Sequence, residues 1–122
     1  MDSIELKLRT KRFAISMIRL VRLLPKSEEA KVIGRQVLRS GTSVAANYRA
    51  VCRARSKAEF IAKMGVVVEE ADETVFWLEL LVESDIMLQS TVETILGEAN
   101  ELMAIFGASL RTAKASGKFA SK

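Results

Sequence analysis

Residues 56–84 read SKAEFIAKMGVVVEEADETVFWLELLVES, and this stretch decides the fold. Ser56-Lys57-Ala58-Glu59 has the spacing of a capping box: the serine accepts from the backbone three residues on, and the glutamate reaches back. At about 100° per residue, Phe60, Met64, Val67, Val68, Ala71, Val75, Leu78, Leu81 and Val82 share one side of the helix that follows. Roughly opposite lie Val66, Phe76, Trp77 and Leu80, interleaved with Glu69, Glu70 and Glu73. A helix in a monomeric bundle needs a single apolar face. A second one carrying Trp and Phe marks an interface. The stretch therefore predicts a helix to about Ser84 that takes part in a homo-oligomer.

Working outward, Ser90-Thr91-Val92-Glu93 repeats the capping-box spacing and predicts another helix, ending near Ala113. Its Val92, Ile95, Leu96, Ala99, Leu102, Met103, Phe106 and Leu110 form one stripe. Toward the N-terminus, Leu6, Phe13, Met17, Leu20, Val21 and Leu24 predict a helix from about Asp2 to Leu24, stopped by Pro25. Ser27 then caps a helix reaching about Arg55, with Glu28 and Glu29 at the positive end of its dipole, and Gly34 and Gly41 weakening it locally. Short connections make consecutive helices pack antiparallel. The expected fold is all-α, an antiparallel up-down-up-down four-helix bundle over residues 1–115, with a flexible tail over 116–122.

Composition agrees. The 122 residues suit one domain, 49% are apolar, and the chain has one proline and six glycines. The lone Cys52 cannot form an intramolecular disulfide, which favours a reducing compartment. No apolar stretch approaches about 18 residues, and the N-terminal residues lack signal-peptide character, so no membrane association and a cytoplasmic location are expected.

Charge is divided unevenly. Residues 1–57 carry a balance of +10 and residues 58–122 a balance of −6, with no Lys or Arg between Met64 and Leu110. Such asymmetry points either to a polyanion or to basic and acidic halves that face one another. On the second helix, Lys31, Arg35, Arg39, Arg49 and Arg53 fall within an arc of about 80° at helical spacing. Cations in that arrangement can follow a phosphate backbone and release its counterions, and guanidinium groups suit bidentate phosphate contacts. They are the candidate residues for contact with RNA or DNA, assisted by Lys11, Arg12, Arg19 and Arg22 of the first helix. Beside them Gln36, Ser40, Ser43 and Asn47 form a narrow polar stripe that lets another helix come close and hydrogen-bond across the seam. With Val66, Glu70, Glu73, Trp77 and Leu80, they are the expected oligomer-interface residues.

Catalytic chemistry finds little support. The chain has no histidine, which excludes Ser–His pairing and the Glu-x-x-His ligand sets of di-iron bundles. No carboxylate lies on a core stripe. Cys52 reads as a packing residue. No catalytic residue, metal, cofactor or small-molecule substrate is expected.

The run Arg35-Gln36-Val37-Leu38-Arg39-Ser40-Gly41-Thr42-Ser43-Val44-Ala45-Ala46-Asn47 resembles a bacterial family. These are four-helix-bundle proteins related to those encoded in intervening sequences of 23S ribosomal RNA genes. The resemblance continues through Arg53-Ala54-Arg55-Ser56-Lys57-Ala58-Glu59-Phe60-Ile61, Glu69-Glu70-Ala71-Asp72-Glu73-Thr74 and Trp77-Leu78-Glu79-Leu80-Leu81, and covers about residues 10–112. Where many members continue Asn-Ile-Ala-Glu, this chain has Asn47-Tyr48-Arg49-Ala50. The resemblance implies an up-down-up-down bundle and a homopentameric ring. It also implies likeness in fold to accessory proteins of diversity-generating retroelements, which work beside a reverse transcriptase and contact nucleic acid.

Overall fold

The computed structural model describes residues 1–116. Four helices follow one another: α1 (Ser3–Val21), α2 (Glu28–Val51), α3 (Lys57–Glu83) and α4 (Gln89–Ala115). Among the described residues there is no strand. The predicted tail lies, beyond Ser116, outside the described residues.

Local chemistry sets the ends. Asp2 and Glu5 form a reciprocal capping box on α1, with Asp2 Oδ1 accepting from Glu5 N at 2.8 Å and Glu5 Oε1 from Asp2 N at 3.1 Å. The helix tightens into bonds from Leu23 N to Leu20 O and from Leu24 N to Val21 O, and ends three residues earlier than predicted. Ser27 caps α2 as expected, accepting from Ala30 N at 3.3 Å. Ser56 caps α3, accepting from Glu59 N at 3.0 Å, but Glu59 reaches one residue further back, to Arg55 N at 2.7 Å.

The second predicted box does not form. Asp85 takes a left-handed φ of 63°, and Ile86 N bonds Leu81 O while Asp85 N bonds Val82 O, the double bond of a Schellman stop. That turn returns the chain so soon that Leu88 becomes the N-cap and Gln89 the first helical residue, with no side-chain cap. Ser90 is already helical there and cannot take the extended conformation a cap requires.

The core gathers Phe13, Met17 and Leu20 of α1, Val37, Val44 and Tyr48 of α2, Met64, Val67, Leu78 and Leu81 of α3, and Val92, Leu102 and Phe106 of α4. At one end Leu6 lies near Tyr48, Val51, Met64 and Phe106, around a cavity of about 410 Å³. The glycines of α2 do more than weaken it. A Cβ on Gly41 would overlap Met17 Cγ, and one on Gly34 would come within 2.7 Å of Leu24 Cδ1, so both let α1 lie close against α2. Packing is most extensive between α2 and α3, then α3 and α4, then α1 and α2. The α1–α4 seam is much sparser, and the diagonal pairs α1–α3 and α2–α4 make no close backbone approach, although the Tyr48 and Phe106 rings meet across the core with centroids 5.0 Å apart. The helices thus occupy four corners, α1 diagonal to α3.

Candidate nucleic-acid interface

Each predicted cation of α2 can now be placed. Lys31, Arg35, Arg39, Arg49 and Arg53 are all exposed, yet they do not form one row. Arg39 turns toward α3, where Nη1 donates to Glu70 Oε1 at 3.2 Å and Nη2 donates to Glu73 Oε2. Its Nε donates to Gln36 Oε1 at 3.2 Å. Arg53 lies beyond the end of the helix, in the turn toward α3. Lys31, Arg35 and Arg49 are on the other side, along the α1–α2 seam.

That seam holds more cations than α2 alone supplies. At one end Lys31 and Arg35 line a groove of about 350 Å³ with Arg22 and Lys26. At the other, Arg49 lines a groove of about 560 Å³ with Lys7 and Lys11. No carboxylate lines either groove, and none of the seven is ion-paired to a described residue. From Lys31 to Arg49 the helix rises about 27 Å, matching about eight nucleotide steps of one duplex strand. Arg12 and Arg19 are separated from these by the body of α1. They line a groove of about 660 Å³ at the α1–α4 seam, with Phe13, Leu20, Thr91 and Ile95.

Arg9 spans the same sparse seam. Its Nε and Nη2 bond the two oxygens of Glu98 at 2.7 and 2.8 Å, and Nη2 also bonds Glu101. Hydrogen bonds to Glu98 and then to Glu101 raise its pKa further above an already high value. Nothing local in the sequence marks this clamp, since its partners are 89 and 92 residues away.

The polar stripe of α2 lies at the α2–α3 seam. Ser40 is completely buried and its hydroxyl is 3.0 Å from that of Thr74 in the same subunit. This corrects the expectation of Ser40 at a contact between subunits, because the small residue serves close packing inside one. Gln36, Ser43 and Asn47 are half-buried, and Asn47 Nδ2 donates to Ser43 O at 2.9 Å. On the outer side of α3, Val66 and Phe76 are exposed and Trp77 and Leu80 half-buried. Phe76 meets Trp77 edge-on, and Trp77 Nε1 donates to Glu73 Oε2 at 3.0 Å.

Among the described residues, no group of three or more His, Cys, Asp or Glu side chains could hold a metal, and no helix is long and apolar enough to cross a membrane. Tyr48 and Cys52 border the end cavity, and burial, then Cys52, raises the Tyr48 phenol well above its ordinary value.

The fold and this surface define a class of small helical bundle with one strongly basic side. The 23S rRNA-intervening sequence protein family matches residues 3–108, and the chain belongs to that family. It is also similar to a crystal structure from Bacteroides thetaiotaomicron, a protein of unknown function from the S23 ribosomal protein family. The identity is 32%, the TM-score 0.84, and the match covers 92% of this chain and 100% of that one. No curated protein matches.

Proposed function

We propose that this protein is a non-enzymatic accessory factor that binds the phosphate backbone of RNA or DNA along the α1–α2 seam. The observation that carries this reading is the set of seven cations lining two grooves that contain no carboxylate. Lys31, Arg35 and Arg49 of α2 contact phosphates, joined by Lys7, Lys11, Arg22 and Lys26. Arg39 is excluded from the set, because Glu70 and Glu73 already neutralise it. Backbone contacts of this kind give affinity without sequence preference. A homopentamer, which the family resemblance implies, repeats the basic side around a ring and adds avidity without new contacts.

The competing reading is a structural or adaptor oligomer whose basic and acidic faces pair between copies, with no nucleic-acid role. A salt titration of binding to single- and double-stranded oligonucleotides separates the two. The first reading expects affinity that falls steeply with salt and is lost in Lys31→Glu/Arg35→Glu/Arg49→Glu. Unchanged nucleic-acid binding by that variant, or none by the native protein at low salt, overturns it.

A further inference from the structure

We propose that the cavity at the end of the bundle, where Leu6 lies near Tyr48, binds a small neutral aromatic molecule that carries a hydrogen-bond acceptor such as a ketone. The cavity measures about 410 Å³, and all four helices contribute to its wall. Close-packed interiors rarely leave voids larger than a water molecule, whereas small-molecule sites run from about 300 to 1,000 Å³. An engineered apolar cavity of about 150 Å³ already takes up benzene, so this one has room for two fused rings and a short substituent. Small side chains keep it open: Cys52 at the end of α2, Ala54 in the turn that follows and Ser109 on α4 all line it, and each is too short to fill it.

The walls favour an aromatic guest. Tyr48 and Phe106 pack with ring centroids 5.0 Å apart and planes inclined at 34°, and Phe60 and the Met64 thioether join the lining. Aromatic edges and sulfur both make favourable contacts with a further ring. The polar groups select the guest's charge. Tyr48 is only 5% exposed, so its hydroxyl serves the cavity rather than bulk solvent. Burial first, then Cys52 and Asp2, hold the phenol above its ordinary value, and it stays protonated as a donor. The Cys52 sulfur beside it accepts only weakly, which leaves that donor available to a carbonyl oxygen. Asp2 lines the cavity beside the exposed Met1, and no lysine or arginine does, so an anion is disfavoured. The cavity shares no residue with either basic groove, and it stands or falls independently of phosphate binding.

Three probes of matching shape test this by equilibrium dialysis: acetylnaphthalene, ethylnaphthalene, which lacks the oxygen, and naphthoate, which is an anion. Acetylnaphthalene should saturate at one molecule per native chain and slow the reaction of Cys52 with a chromogenic disulfide. Naphthoate should bind at least tenfold more weakly. Tyr48→Phe should weaken the ketone roughly three- to tenfold, the worth of one hydrogen bond, and leave ethylnaphthalene nearly unchanged. Ser109→Leu should fill the space and abolish binding of both while keeping native helicity; should helicity fall, Cys52→Leu replaces it and is read by dialysis alone. The proposal is overturned by a native chain that takes up no acetylnaphthalene, or by naphthoate binding as tightly as the ketone. It is equally overturned if Tyr48→Phe leaves the ketone unaffected or the filled variant binds as the native chain does.

Discussion

The hydroxyl of Ser40 lies 3.0 Å from that of Thr74, and both side chains are completely buried between α2 and α3. Thr74 also donates to Glu70 O at 2.7 Å, so neither group is left without a partner. Ser40→Ala should therefore cost only about 1 kcal/mol, since Thr74 keeps its carbonyl. Ser40→Leu should cost several times more, because the added bulk forces the most extensively packed helix pair apart. Denaturant midpoints compare the two.

Gly41 makes the matching demand on the α1 side. Gly41→Ala sets a methyl group onto Met17, a fully buried neighbour, and should destabilise by about 1–3 kcal/mol. Combining it with Met17→Ala should cost less than the sum of the two single changes, as a double-mutant cycle would show.

Asp85 holds a left-handed backbone that glycine adopts freely. Asp85→Gly should raise stability by about 0.5–1 kcal/mol and Asp85→Val should lower it, both read by thermal unfolding.

Tyr48 is the only tyrosine, and its raised pKa ties stability to alkaline pH. The folded state holds the phenol proton more tightly than the unfolded chain does. This contribution is complete below the ordinary value of about 10 and is lost as pH climbs through the raised one. Phenolate absorbance should appear only with unfolding, and Tyr48→Phe should flatten the fall of stability above pH about 10.

Salt dependence should separate two arginines four residues apart. Each phosphate contact removed lowers the slope of log affinity against log salt by about 0.9 on duplex DNA. Arg35→Ala should show that loss, whereas Arg39→Ala should leave the slope nearly unchanged, because its guanidinium is held by Glu70 and Glu73.

The four helices and most of their core positions were legible because helical spacing is periodic and local. Ser27 and Ser56 marked their caps for the same reason. Ser90 misled, since a left-handed Asp85 five residues earlier had already turned the chain, and backbone handedness is not written in a capping pattern. The five-cation arc on α2 was correct as spacing, but spacing does not know which neighbour stands beside which edge. The carboxylates that claim Arg39 lie 31 and 34 residues downstream. The lysines that join Arg49 come from α1. Asp2 with Glu5 could have been found by the same reading of spacing and was not.

The thin α1–α4 seam gives the bundle a weak edge. Held firmly by α2 on one flank and by little beyond the Arg9 clamp on the other, α1 is the element that can peel away first, like a stave from a barrel. Its amide protons should then exchange with solvent ahead of those in α2 and α3, in an opening that leaves the remaining three helices standing. Any partner that grips α1 from outside hoops the whole structure.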